Sequence, residues 1–453
     1  MNRETKYKGS IKLSAIGDAL GWMTEFGKSP ESLKEQFGTE QIDAFYNWNK
    51  NTGGRFYGYT DAIKAGSYSD DTQLFLSVAR SIKKGGAVDN DYFAKIELVN
   101  WLDYARGAGR TVKKSADKIQ RKSAKWHSNF YTCNLNGETF DYKQSGANGA
   151  AMRVLPIALA NSGNPEKIKE EIFCNSIVTH GHPRAIAGAM LYGDAVDQII
   201  TCRPENFSWE DYLLLFGSDL TKKFDLARFN RFEIKGWLKE WNKSAGIAFE
   251  NLYRETLTET DKQLQLIYKS LKDNWPVNET LSKLGCFDKA TKSSGTSTVV
   301  AGIYFALKFH KEPLKSILEP VNALGSDTDT IAAFAGGISG ALHGQNIIPD
   351  KWKTVQDMEY LDKISERLLE ISENRFAGAV TPKHADNPIK SLNHIRSDNY
   401  SLDEEITFDP LGKGRIISID RQDTLVKGKY NLLIGVALES GQSIYLSNLM
   451  RKE

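Results

Sequence analysis

Two short segments carry carboxylates at a spacing that suits a divalent cation. Ser69-Asp70-Asp71-Thr72 and Ser326-Asp327-Thr328-Asp329-Thr330 echo one another, and each stands directly before an apolar-periodic run. Ser, Thr and Asp are favoured at helix N-termini, because their oxygens accept hydrogen bonds from free backbone N–H groups. One cap needs one or two acceptors, so capping explains one Asp per helix and leaves the others unexplained. Brought together, Asp70, Asp71, Asp327 and Asp329, with the hydroxyls of Ser69 and Thr330, would form an all-oxygen shell. Mg²⁺ and Mn²⁺ prefer such shells. Without a cation the four carboxylates would repel one another and ionise less readily. Metal binding and capping both stay open on this pattern.

Other segments offer binding chemistry. Asn148-Gly149-Ala150-Ala151-Met152-Arg153 is a small-residue turn before an apolar run. Its backbone N–H groups can approach an anion closely, as helix N-termini do; a tight packing turn is the alternative. Arg153 is expected to pair with a buried acidic group. His180 and His182 precede Pro183, which places them at a helix start rather than along one face. They make a weak metal signal, and His182 is taken as a pocket residue. Gly295, Thr296 and Ser297 either line the pocket or cap the next helix. Asp18 sits inside an apolar helical pattern and reads as a buried structural carboxylate.

The elements that must position these residues are mostly helical up to about residue 378. Leu74, Phe75, Val78, Ala79 and Ile82 recur at helical spacing, as do Ile331, Phe334, Ala335, Ile338 and Leu342. Ile96–Ala105 and Ala185–Ile200 also fit helices, and the many Ala and Gly residues on these segments imply close helix approach. Strand-like alternation is hard to find in this part. Residues 107–147 and 203–290 read as insertions or loops, the latter helical in pieces. A linker begins near Pro382. Short β-like runs follow at Glu405–Phe408, Arg415–Asp420, Leu432–Leu438 and Ser443–Leu446. The expectation is a mainly α protein, with a compact all-α body over 1–380 and a small β-rich, SH3-like barrel within 381–453.

In their order and spacing, the acidic segments, Gly17-Asp18-Ala19-Leu20-Gly21, the 148–153 turn and Thr179-His180-Gly181-His182-Pro183 resemble the ADP-ribosylglycohydrolase family, of the dinitrogenase-reductase-activating glycohydrolase type. The resemblance covers about residues 8–360 and leaves out the C-terminal module. Ser69 stands where the family has Thr, Ser326 where it has Gly, and Ala147 where Gly commonly precedes Asn-Gly. The resemblance implies an all-α bundle around two divalent cations, Mg²⁺ or Mn²⁺. Ser69, Asp70, Asp71, Asp327, Asp329 and Thr330 match the metal positions. Glu25 matches a Glu on a flap near the scissile bond, and Asn148, Gly149, Ala150 and Met152 match the diphosphate or ribose side. Tyr57, Tyr59 and Tyr68 either stack on adenine or pack in the core.

The implied activity is cation-dependent hydrolysis at the anomeric carbon of ADP-ribose, with Glu25, Asp70, Asp71 and Asp329 as the catalytic set. The substrate would be an ADP-ribosylated protein, nucleic acid or small molecule. A binding or structural protein on the same scaffold, and a dimetal hydrolase of phosphate esters, are the alternatives. The chain has 453 residues, 40% of them hydrophobic, with 59 Lys and Arg against 57 Asp and Glu. That composition excludes a disordered chain, and the net charge of +2 excludes a general nucleic-acid coat. With no apolar run of membrane-spanning or signal-peptide length and four scattered cysteines, a cytoplasmic protein is expected. The C-terminal module is expected to engage a protein or substrate partner, or to serve folding or oligomerisation.

Overall fold

The computed structural model describes residues 2–52, 58–135, 137–243, 246–378 and 391–452. Tyr57 and residues 379–390, which include the first part of the expected linker, lie outside them.

The helices that build the site are α1 (Arg3–Trp22), α2 (Asp70–Ser81), α3 (Arg110–Ile119), α4 (Pro183–Ile199), α5 (Phe249–Lys272), α6 (Gly295–Lys308), α7 (Thr328–His343) and α8 (Met358–Ser372). Capping fixes several starts. The Asn2 side chain accepts from Thr5 N ahead of α1, and His182 accepts from Arg184 N ahead of α4. Helices α1 and α7 form the centre and are buried nearly all round. Their glycines make this possible. A Cβ at Gly17 would lie 2.3 Å from the Ala332 carbonyl oxygen, and one at Gly340 would lie 2.2 Å from that of Gly9. The two backbones therefore pass closer than any side chain would allow. Helix α6 packs on α7, α4 on α6, and α8 on the far side of α1.

Two hairpins depart from the all-helical expectation. Strands β1 (Trp48–Thr52) and β2 (Tyr59–Ile63) pair antiparallel, as do β3 (Thr132–Leu135) and β4 (Glu138–Asp141). Both are short and polar, and β1 reads Trp-Asn-Lys-Asn-Thr, so neither shows the apolar alternation that marks a strand. The 107–147 stretch thus holds α3 and a hairpin. The helix expected over 96–105 is π-helical at Phe93–Glu97, regular only over Leu98–Trp101, and ends there.

The C-terminal β-rich module is a four-stranded antiparallel meander of β5 (Glu405–Phe408), β6 (Gly412–Asp423), β7 (Lys429–Leu438) and β8 (Ser443–Arg451). In the sheet order β5 and β8 are its two edges, where the sequence suggested a small barrel. Its inner face, including Phe408, Ile434 and Leu446, continues the buried core of the helical body. Polar anchors reinforce the contact. The Tyr68 hydroxyl donates to Asp357 Oδ2 at 2.6 Å, and Ser443 N donates to the same carboxylate at 2.9 Å. Arg80, ion-paired with buried Glu97 at 2.7 Å, also donates to Gln442 Oε1 at 2.8 Å. Among the described residues, no helix is long and apolar enough to cross a membrane.

Candidate active site

The site begins at Asp18, fully buried in α1. Its carboxylate accepts from Ser69 N at 3.1 Å, Thr72 N at 3.0 Å and Thr72 Oγ1 at 2.6 Å. This single side chain ties the start of α2 to α1. Ser69 completes the cap by accepting from Asp71 N at 3.2 Å. The N–H groups of Ser69, Asp71 and Thr72 therefore have acceptors that are neither Asp70 nor Asp71. At α7 the N-cap residue is Asp327, yet its side chain makes no capping bond, and the Asp329 carboxylate accepts from Thr330 N at 2.8 Å. Capping accounts for Ser69 and leaves Asp70, Asp71 and Asp327 unexplained.

These side chains meet around one cavity of about 310 Å³. Asp70 and Asp71 come from α2, Asp327, Asp329 and Thr330 from α7, and Glu25 from the turn after α1. Asn148, Gly149, Met152 and His180 line it too, with Arg110, Thr111, Val112 and Ser293. Asn148 Nδ2 donates to Asp327 Oδ2 at 3.3 Å.

Burial and mutual repulsion favour the protonated forms of Glu25, Asp70, Asp71 and Asp329. Glu25 is pushed up to about 8 by burial first, then by the charges of Asp327 and Asp70, with Lys50 opposing. Asp70 rises to about 7 through burial and then Asp18. Asp71 and Asp329 also rise well above the usual carboxylate range, again through burial first. Asp18, Asp70 and Asp327 add to this at Asp71, and Glu25, Asp327 and Asp71 at Asp329. His180 is driven well below its ordinary value by burial and then by Arg153, so it is a neutral imidazole.

The donor set fits a hard divalent cation. Every donor is oxygen, and the buried Asp71 Oδ2 has no hydrogen-bond partner among the described residues. As they stand, no three or more His, Cys, Asp or Glu side chains among the described residues are gathered tightly enough to grip an ion. A cation bound among them would replace the protons and offset the repulsion between the ionised carboxylates.

Several sequence candidates take other places. His182 is not among the residues that line the cavity; it caps α4 and burial pushes it down to about 4, while His180, in the same motif, faces the acids. Ala150 is fully buried behind the cavity wall. Gly295 serves the α4–α6 crossing, where a Cβ would lie 2.6 Å from the Arg184 carbonyl oxygen, and Thr296 is buried beside Ser294. Their segment holds the 148–153 turn in place: Asn148 N donates to the Ser293 carbonyl at 2.9 Å, and Gly295 N to that of Gly146 at 3.0 Å. Arg153 pairs with no carboxylate among the described residues; its guanidinium donates to Asn175 Oδ1, Asn175 O and Gly149 O. Tyr68 is a core residue. Sequence reading preferred His182 to His180 as the pocket residue and passed over Ser293 and Arg110. His180 carried a signal in its motif, whereas Arg110 carried none.

A family model for ADP-ribosylglycohydrolase matches residues 1–378. The chain belongs to the ADP-ribosylglycohydrolase family. The ADP-ribosyl-[dinitrogen reductase] glycohydrolase of Rhodospirillum rubrum is 25% identical over 347 residues, covering 76% of this chain and 88% of that one. ADP-ribosylhydrolase ARH3 of Xenopus tropicalis is 28% identical over 374 residues, covering 77% and 90%. A solved ADP-ribosylglycohydrolase-related protein complex shares the fold, with a TM-score of 0.51 at 16% identity over 82% of this chain and 99% of that one. The family match ends ahead of the four C-terminal strands.

Proposed function

We propose that the protein hydrolyses the bond between the anomeric carbon of ADP-ribose and an acceptor atom, N or O, releasing ADP-ribose. The observation that carries this reading is the convergence of two distant acidic segments and Glu25 on one cavity, in a chain of this family. Asp70, Asp71, Asp327 and Asp329, with Ser69 and Thr330, would hold two divalent cations, Mg²⁺ or Mn²⁺. Bound there, they supply Lewis acidity toward the ribose hydroxyls and water.

The chain's own residues do the rest. Burial, the largest influence on Glu25, favours its protonated form. Glu25 can therefore protonate the departing acceptor atom as the C–N or C–O bond breaks, while positive charge builds on the sugar. Water forms the new C–O bond at the anomeric carbon and gives up a proton that restores Glu25, so the step closes on free acceptor and ADP-ribose. Asn148 holds Asp327 in place, and Gly149 and Met152 form the wall for the diphosphate.

The test is ADP-ribose release from arginine-, serine- and nucleobase-linked substrates. The reading expects release from at least one linkage, abolished by Asp70→Asn and by Asp329→Asn with the helical fold intact. Equal activity in both variants would sink it.

A further inference from the structure

A second cavity, of about 400 Å³, lies beside the acidic one, and the two share Gly107 as a lining residue. Gly107 is a threshold between them. Its φ is +88°, and a Cβ there would stand 2.8 Å from Asp70 Oδ1 and 3.3 Å from Trp22 Nε1. No side chain could occupy that position without blocking the way to Asp70.

This second cavity is built jointly. The β1–β2 hairpin and the segment after Trp101 form one side, and strands β7 and β8 of the C-terminal sheet close the other through Leu433, Tyr445 and Ser447. The join is specific. Arg106, 7% exposed, pairs with Asp61 at 2.8 Å, and its guanidinium carbon lies 4.3 Å from the centre of the Tyr445 ring. Arg106 Nε and Nη1 are buried without a hydrogen-bond partner among the described residues. Leu425 N donates to the Gly58 carbonyl at 2.8 Å, beside the Tyr59–Thr424 bridge.

The charge balance differs from that of the acidic cavity. Both carboxylates lining the second cavity are engaged, Asp61 by Arg106 and Asp103 by His394 at 2.9 Å. Lys50 and Lys113 line it as well, and neither is in an ion pair among the described residues. The Lys50 ammonium lies 4.8 Å from the centre of the Trp22 ring and 4.6 Å from that of Phe26, and its charge also acts on Glu25, as that of Lys113 acts on Asp70. The cavity therefore offers two ammonium groups without a paired carboxylate among the described residues, next to the acids.

The two cavities also mark two directions from the acids. Asn148 contacts Asp327, at the end where the diphosphate wall stands, and Gly107 adjoins Asp70. Building on the function proposed above, we propose that the second cavity is the acceptor subsite, walled by the C-terminal sheet, and that Lys50 and Lys113 select an acceptor bearing negative charge next to the linkage. The group they recognise is a carboxylate or a phosphate.

The test takes two peptides sharing the linkage the enzyme cleaves, one flanked by glutamates and one by lysines, with ADP-ribose 1″-phosphate as the phosphate probe. Full-length wild type, Lys113→Glu and Ser447→Trp are compared. Both altered positions are exposed, and thermal melting confirms that each variant folds. The proposal expects wild type to favour the glutamate peptide through KM. Lys113→Glu should raise that KM about tenfold, as for a lost charge-assisted contact, and leave the lysine peptide unaffected or improved. Ser447→Trp should raise KM for both peptides while inhibition by free ADP-ribose stays as in wild type. A lower KM for either anionic substrate supports the proposal, and their ranking tells carboxylate from phosphate. Equal KM for the two peptides, or variants without effect, overturns it. No release from any substrate would instead overturn the proposed hydrolysis.

Discussion

Asp18 and the cavity acids are all buried carboxylates, and they differ in what faces them. Asp18 accepts three hydrogen bonds from the start of α2, so Asp18→Ala leaves those donors unpaired. A loss of about 2–4 kcal/mol is expected in denaturant unfolding, by analogy with other buried charged hydrogen-bond networks. Glu25, Asp70, Asp71 and Asp329 have too few donors, and their raised pKa values mean that the fold prefers them protonated. Glu25 moves from 4.5 to about 8 and Asp70 from 3.8 to about 7. A carboxyl raised in this way contributes stability that is full below its unfolded value and lost as pH climbs through its folded value. Metal-free protein should therefore melt at lower temperature as pH rises from about 4 to about 8. Mg²⁺ or Mn²⁺ should raise the melting temperature more at the upper end of that window. A metal-free melting temperature that climbs steadily across it would contradict the assignment. By the same logic, Asp70→Asn should stabilise the metal-free protein at pH 8 by about 1–3 kcal/mol while removing activity. Glu25→Gln keeps size and loses the proton donor; a fall in kcat of about a hundredfold or more is expected.

At the scale of elements, α2 and α7 were legible because their apolar residues recur at helical spacing and Ser or Asp opens each one. The assignment of roles within a cap was less legible. Which of Ser69, Asp70 and Asp71 caps α2 depends on Asp18, 51 residues earlier, taking up Ser69 N. His180 and His182 were hard to separate for a similar reason: the nearby Pro183 starts α4, and the residue that caps it loses its place at the cavity. The two hairpins escaped notice because their strands are four or five residues of mostly polar sequence, held by tertiary packing rather than pattern. The Gly and Ala content of α1 and α7 did announce close packing. Gly17→Val puts methyl groups where the Ala332 carbonyl stands, so soluble, cooperatively folding protein should be lost. Normal circular dichroism and melting for that variant would refute the backbone contact.

For the whole molecule, a net charge of +2 conceals strong segregation: an acidic cavity beside one with unpaired lysines. Composition could not show this, because the residues come from segments up to about 400 positions apart. The β-rich tail was visible in sequence as short runs, but not its docking, since Phe408 meets Tyr104 edge-on and Tyr445 covers Arg106 only after the chain has folded back. Phe408→Ala should cost about 3–5 kcal/mol in global stability if sheet and helices share one core, seen as a single shifted unfolding transition. Two separate transitions would show that they do not.

The central claim is that the shared acidic cavity holds divalent cations and cleaves ADP-ribose from its acceptor. The most direct measurement is the initial rate of ADP-ribose release after chelation and then on titration with Mg²⁺ or Mn²⁺. The account predicts a rate near zero after chelation, saturable recovery with the cation, and no recovery in Asp70→Asn or Asp329→Asn. Release that continues unchanged through chelation, or recovers fully in both variants, would contradict it.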